Sequence, residues 1–261
     1  MLQRVRDNPG RAVIACSIRD ILQRRRDDRE METVRRVRES FDAVLVHGDP
    51  GIIALDESFG RAAKIRDKLV YTGYVASAPV PRTLFTDEIA GDIVVAAGGG
   101  AAGAQLYQVA LDAANRDDLG RRWRLLVGAA VDEGAFRRMQ REAGPATRVE
   151  RNRADFRELL ARSRILVSQA GYNTLTDILV TGVPALLVPF ESVGETEQLA
   201  RARRFERLGR VDVLRECDLD PEALLERLSE AMTKPEPGLP EIDLGGIGYT
   251  ADWIIDHALT C

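Results

Sequence analysis

Three segments combine the residue types that hold a phosphate and a sugar. The first is Ile93-Val94-Val95-Ala96-Ala97-Gly98-Gly99-Gly100-Ala101-Ala102-Gly103-Ala104, an apolar run entering a glycine turn. Glycines let backbone N–H groups approach an anion without interference from Cβ, and a following helix N terminus adds partial positive charge. That dipole contributes about 0.3–2 kcal/mol, so it positions a phosphate but does not bind it tightly. A turn for close strand–helix packing is the plain alternative. The second is Ser168-Gln169-Ala170-Gly171-Tyr172-Asn173-Thr174-Leu175-Thr176-Asp177, where a strand ends, Gly171 turns, and Asn173 and Thr174 open a helix. Asp177, in its early turns, can accept hydrogen bonds from vicinal hydroxyls such as those of a ribose, or serve as an ordinary helix-opening acid. The third runs through Gly182-Val183-Pro184 to Pro189-Phe190 and on to Gly194-Glu195-Thr196-Glu197-Gln198. Glu197 and Gln198 can bond sugar hydroxyls, and are equally ordinary helix openers.

A fourth group is His47 with Asp49, in Val46-His47-Gly48-Asp49-Pro50. A strand-end histidine beside an aspartate suits a general base, which contributes about 10²–10⁴ in rate. The alternative is an Asp-Pro turn with a satisfied histidine. The G-G-G-x-x-G spacing also overlaps a dinucleotide fingerprint, which wants an acid about 20 residues on, at the end of the next strand. That strand ends Leu125-Leu126-Val127-Gly128 and the nearest acid is Asp132, so a nicotinamide enzyme is disfavoured.

Short β-branched runs alternate with longer amphipathic stretches. The pattern predicts strands over 12–16, 43–46, 69–72, 93–97, 124–127, 165–168 and 185–188, and helices over 29–40, 103–116, 133–142, 154–162, 172–181, 195–208, 221–232 and 247–259. Most of these strands lack polar alternation, as expected where helices cover both faces of a parallel sheet. Such alternation gives a doubly wound α/β fold. The small, nearly uncharged stretch 76–82 reads as a linker. It separates residues 1–75, too short for an independent Rossmann-like half, from a domain over 83–234. A last helix over 246–261 is expected to pack back on the first part with Trp253, Ile254 and Ile255 on its apolar side.

In this order and spacing the three segments resemble the donor-binding domain of GT-B glycosyltransferases of family 28, the group of the UDP-N-acetylglucosamine transferase of peptidoglycan synthesis. "A-G-G-G-A-A-G-A" resembles that family's diphosphate loop. "S-Q-A-G-Y-N-T-L-T-D-I-L-V-T-G-V-P-A-L-L-V-P-F" resembles its long signature, "E-T-E-Q-L-A-R-A" the segment after it, and "Y-T-G-Y-V" the piece that joins the two domains. The resemblance covers residues 69–210. It implies a GT-B-like fold, with a complete C-terminal Rossmann-like domain and a partial N-terminal one. It also implies transfer of a hexosyl group, N-acetylglucosaminyl above all, from a UDP-sugar with inversion. Gly98, Gly99, Gly100, Ala101 and Gly103 would face the diphosphate. Ser168, Gly171, Asn173 and Thr174 would lie against phosphate and donor sugar, Asp177 would hold the ribose, and Glu197 and Gln198 the hexose hydroxyls. Uracil would sit near the end of strand 124–127 and a loop over 149–152. No cofactor and no tightly held metal are implied, because backbone amides and helix dipoles neutralise the leaving diphosphate. A UDP-sugar hydrolase and a non-catalytic nucleotide-sugar-binding protein stay open beside the transferase.

The family's opening strand and histidine-bearing glycine loop have no match in residues 1–40, so the acceptor half is expected to be shortened. UDP binding with slow transfer, residual turnover through His47 or Asp49, and self-association through an open sheet edge are the consequences. The acceptor (glycan, lipid-linked or small molecule) is not readable. Composition narrows the rest. The 261 residues carry 37 Lys and Arg against 41 Asp and Glu, a net charge of −4 that disfavours a nucleic-acid partner. The mixed-sign run Arg24-Arg25-Arg26-Asp27-Asp28-Arg29-Glu30 reads as a solvated helix face, with contact to anionic lipid the lesser reading. Three scattered cysteines, no apolar run of the roughly 18 residues that span a bilayer, and no signal core point to the cytoplasm, with the inner membrane face as a peripheral site.

Overall fold

The computed structural model describes residues 13–82, 92–97, 103–192, 194–235 and 241–258. The chain divides into two compact units: Met1–Ser77 with Gly194–Glu197 and Glu241–Cys261, and Ala78–Val193 with Gln198–Pro240.

In the first unit β1 (Ala15–Arg19), β2 (Ala43–His47) and β3 (Leu69–Tyr71) form a parallel sheet in the order β1-β2-β3. Helix α1 (Asp27–Ser40) opens on Asp27, Asp28 and Glu30 and closes near Arg38, charges that match its dipole. Its buried Val34 and Val37 pack with Val44, Val46, Leu55, Phe59 and Ile65. Each such aliphatic side chain contributes about 1.5–3 kcal/mol when fully buried. The arginines of α1 stay in solvent and pair along the helix, Arg35 and Arg36 both with Glu32. The first strand lies three residues later than the sequence suggests, and its residues alternate between exposed and half-buried.

The second unit is a six-stranded, all-parallel sheet of β4 (Ile93–Ala96), β5 (Trp123–Val127), β6 (Thr147–Arg151), β7 (Ile165–Ser168), β8 (Ala185–Leu187) and β9 (Asp212–Val213), ordered β6-β5-β4-β7-β8-β9. Its helices are α2 (Ala104–Arg116), α3 (Glu133–Glu142), α4 (Phe156–Arg162), α5 (Tyr172–Thr181), α6 (Glu197–Arg207) and α7 (Pro221–Thr233). Strands β4, β5, β7 and β8 are buried throughout, which explains their continuous apolar runs. Leu106, Tyr107 and Leu111 of α2 and Leu224 and Leu228 of α7 join the core against Val95, Leu125 and Val167. Asp132 and Asp220 cap α3 and α7 by accepting from Ala135 N and Ala223 N at 2.9 and 2.8 Å.

Two strands depart from the sequence reading. Residues 149–152 were expected in a loop, yet Thr147–Arg151 is an edge strand paired with β5. Thr147 and Val149 are buried while Arg148 is exposed, the alternation of a strand covered on one face. The two-residue β9 is too short to leave a periodic signal.

A last helix, α8 (Gly246–Ala258), follows a segment tied to the first unit, where Tyr74 N donates to Asp243 O at 2.7 Å and Gly246 N to Tyr74 O at 3.1 Å. Its Ile254 and Ile255 are 52% and 53% exposed, so the apolar side expected to be covered faces outward. Among the described residues no helix is long and apolar enough to cross a membrane.

Candidate functional site

Strand order in the second unit reverses between β4 and β7, and ligands of open parallel sheets bind outside the carboxyl ends of the strands at such a point. Ala96 and Ser168, the last residues of β4 and β7, are register partners. The Ser168 hydroxyl, 1% exposed, donates to Ala96 O and locks the two strand ends together. A cavity of about 220 Å³ opens there, lined by Ala96, Asn152, Arg153, Phe156, Ser168, Asn173, Thr174 and Asp177.

The floor of this cavity is a helix start. Gly171 is the N-cap of α5 and brings no side chain to cap that end, and the first helical bond runs from Leu175 N to Gly171 O. Gly171 has φ −67°. Among the described residues a Cβ built on it would touch only Thr174 Oγ1, at 3.7 Å, so their packing does not require glycine at this position. Gly103 is the opposite case: a Cβ there would lie 2.2 Å from Ala97 Cβ, so α2 can start against the end of β4 only on a glycine. Gly98, Gly99, Gly100 and Ala101 lie outside the described residues.

Asp177 reaches the cavity from the second turn of α5. Burial pushes its carboxyl above the usual aspartate range, and Arg157 opposes this, its Nε donating to Asp177 Oδ1 at 2.6 Å. The carboxylate is 13% and the guanidinium 43% exposed. Asn173 is exposed and Thr174 half-buried beside it.

Gln198 braces the loop that the cavity rests on. Its Oε1 accepts from Ala170 N at 3.0 Å and from Phe190 N at 3.1 Å, tying the exits of β7 and β8. Arg201, 1% exposed, donates from Nη1 to Ala170 O at 3.1 Å. Both backbone polar groups of Ala170 are thus held from α6. Tyr107 holds the exit of β4: its hydroxyl accepts from Ala97 N at 3.0 Å and donates to Leu126 O at 2.6 Å. Glu197 is not in this cavity. It lines another, with Leu22, Gln23, Arg25, Glu30, Thr33 and Phe59.

In the first unit His47 ends β2, with Nε2 2.6 Å from Ser17 Oγ and Nδ1 2.8 Å from Thr72 Oγ1. Burial lowers its pKa. Asp49 Oδ1 accepts from Gly51 N at 2.8 Å and Oδ2 from Asp243 N at 3.4 Å, so the carboxylate braces its own turn and the segment before α8.

The structure therefore gathers Ser168, Asn173, Thr174 and Asp177 at one cavity, with Gly171 at the start of the helix that carries the last three and Gln198 behind its loop. Sequence reasoning missed Arg157, Tyr107 and Arg201, whose types and positions look like those of ordinary helix residues. It also missed Phe156 and Arg153 and reached Asn152 only as part of the segment expected near uracil.

Residues 93–241, more than half of the chain, match the model of the glycosyltransferase family 28 C-terminal domain. The chain belongs to this family. The UDP-N-acetylglucosamine–N-acetylmuramyl-(pentapeptide) pyrophosphoryl-undecaprenol N-acetylglucosamine transferase of Brucella anthropi is 34% identical over 146 residues, which make up 53% of this chain and 38% of that protein. Its Brucella canis counterpart is 32% identical over 142 residues, with the same shares. The match thus spans well under half the length of these relatives. Among solved structures the fold is shared with the kitacinnamycin glycotransferase, with TM-score 0.62 and 16% identity, covering 98% of this chain and 64% of that one. It is also shared with Acinetobacter baumannii MurG, with TM-score 0.57 and 15% identity over 87% and 78% of the two chains. The glycosyltransferase CalG4 has the same fold at TM-score 0.60 and 16% identity, over 89% and 59%. This agrees with a GT-B-type α/β architecture built on parallel sheets.

Proposed function

We propose that the chain is a glycosyltransferase that moves an N-acetylglucosaminyl group from its UDP derivative to an acceptor alcohol, with inversion. The observation that carries this reading is the cavity at the β4–β7 switch point. The first residues of a helix that opens on Gly171, a strand-end hydroxyl and a half-buried carboxylate converge there in a family 28 domain. Backbone N–H groups at the start of α5 and the glycine turn would take the diphosphate. Asp177, kept ionised by Arg157, would accept from the ribose hydroxyls. Uracil would lie toward Asn152 and Phe156. Gln198 shapes the loop under the donor sugar, and no metal is needed while amides neutralise the leaving group.

His47 is the acid–base group of this reading. Asp49 is left to its turn, since both of its oxygens serve backbone amides. The named Brucella relatives act on a lipid-linked acceptor, and an acceptor of that kind is part of the proposal. A peripheral membrane position accompanies it, supported by exposed Ile247, Tyr249, Ile254 and Ile255 on α8. Calorimetry with UDP, ADP, GDP and NADH is the first test, and tighter binding of any of the others than of UDP would overturn the reading. UDP release from the UDP-sugar with and without alcohols separates transfer from hydrolysis. UDP binding without any release would mark a binding protein.

A further inference from the structure

His47 is held on both sides by hydroxyl groups, and the surroundings of one of them decide where the imidazole proton sits. The Thr72 side chain is fully buried, at 0% exposure. Its hydroxyl has a single proton, and Gly73 O at 3.0 Å takes it; Val46 O, 3.4 Å away, already accepts from Gly48 N and Thr72 N at 3.0 Å each. With that proton on a carbonyl, the oxygen facing His47 Nδ1 at 2.8 Å is an acceptor, so Nδ1 must carry hydrogen. A neutral imidazole then has an unprotonated Nε2. That atom lies 2.6 Å from Ser17 Oγ, close enough to take the hydrogen of the Ser17 hydroxyl. Ser17 sits on the exposed face of β1, whereas His47 is half-buried, so a molecule arriving from solvent on that face meets the serine oxygen before the ring nitrogen.

A hydroxyl, a ring nitrogen and an orienting group in this order make up the arrangement that activates an oxygen for chemistry. We propose that Ser17, His47 and Thr72 form a hydroxyl-activating relay for an incoming alcohol or water. Thr72 is a positioning residue that fixes the Nδ1–H tautomer. As the alcohol oxygen forms its bond to the anomeric carbon, the bond from that carbon to the diphosphate oxygen breaks and its electron pair leaves on UDP; the alcohol proton passes to Ser17 Oγ, and the Ser17 proton passes to His47 Nε2. Two O–H bonds break, one O–H and one N–H bond form, and the positive charge comes to rest on the imidazolium. Ser17 is unchanged at the end. That the alcohol is a sugar acceptor rests on the reading in the preceding section, but the proton order within the three residues does not.

The test uses the full chain and three readouts. The sequence holds only two histidines, His47 and His257, so ¹⁵N-labelled protein gives two assignable rings. Long-range ¹H–¹⁵N correlation is expected to show His47 protonated at Nδ1 in the neutral form. Proton on Nε2 would overturn the relay whatever the activity. Diethyl pyrocarbonate, which acylates unprotonated ring nitrogens, should modify His47 faster in Ser17→Ala than in the wild type, with His257 as internal reference. Equal rates at His47 would show that Ser17 does not cover Nε2. In UDP release from UDP-N-acetylglucosamine, Ser17→Ala should lose about a hundredfold in kcat with KM for the donor unchanged, and Ser17→Thr should recover most of it. A Ser17→Ala variant that turns over like the wild type, or a wild type that releases no UDP with any alcohol or water, would refute the relay. Failure of UDP to bind at all would instead refute the donor assignment, and the tautomer result would still decide the proton order.

Discussion

Removing the Arg157 guanidinium tests how the cavity keeps a half-buried carboxylate able to receive hydroxyl protons. Burial alone drives Asp177 toward its neutral form, in which one oxygen would carry a hydrogen and repel the ribose O–H it should accept. Arg157 Nε at 2.6 Å holds it ionised. A hydrogen bond to a charged group contributes about 1.5–3 kcal/mol, but Arg157 is 43% exposed, and solvent screening reduces the pair to about 1 kcal/mol. Arg157→Gln should therefore raise the Asp177 pKa further above the usual aspartate range. Asp177→Ala should weaken UDP binding by about 1–3 kcal/mol near neutral pH, and Arg157→Gln by up to about 1 kcal/mol in the more acidic range where it leaves Asp177 protonated. If Arg157 acts through Asp177, the double variant should bind UDP no worse than Asp177→Ala, a coupling of up to about 1 kcal/mol in that range. The sign with pH follows. The ionised carboxylate is the binding form, so affinity should fall with acidity through a pKa above the usual aspartate range, and Arg157→Gln should move that fall to still higher pH. Isothermal calorimetry at several pH values measures all of this, with UDP lacking both ribose hydroxyls as the control that Asp177→Ala should leave alone. Unchanged UDP affinity in Asp177→Ala, or equal losses for both nucleotides, would refute the ribose assignment.

Three further outcomes follow from the same geometry. Gly171→Ala should leave the fold unharmed or stabilise it by about 0.4–1 kcal/mol while weakening UDP, whereas Gly103→Ala should lower stability by about 1–3 kcal/mol, and urea denaturation beside calorimetry separates the two. Gln198→Leu strands two backbone N–H groups, so a loss of about 1–3 kcal/mol per buried amide is expected in the unfolding midpoint, with UDP affinity falling as the loop loosens. Treatment with a chelator should leave UDP binding unchanged if amides alone neutralise the diphosphate, and a loss restored by magnesium would show otherwise.

Much of the donor-side unit was legible because its strands are continuous apolar runs. Ile93–Ala96 and Ile165–Ser168 are buried on both faces and need no polar alternation to be recognised. Strand β6 escaped because Thr147-Arg148-Val149-Glu150-Arg151 has only two inward residues among charges, and its membership of the sheet is decided by pairing with β5. Among the site residues, Asp177 could be placed because helix start and spacing fix its position. Its partner could not, since Arg157 lies on a different helix, twenty positions away, and one arginine among many carries no mark in sequence.

Gln198 shows the deeper limit. Its motif drew attention to a sugar-binding role, and its carbonyl oxygen is spent on the amides of Ala170 and Phe190. Together with Arg201 on Ala170 O and Tyr107 on Ala97 N, it fixes the backbone at the ends of β4 and β7. In the proposed reading backbone amides recognise the diphosphate, which leaves the polar side chains of the motif to act as braces. Backbone fixed before a ligand arrives would spare binding part of the ordering entropy, and such donors would need no reorganisation as charge develops on the leaving group. A substitution at Gln198 should therefore degrade fold and nucleotide affinity together, whereas one at Asp177 should degrade affinity alone.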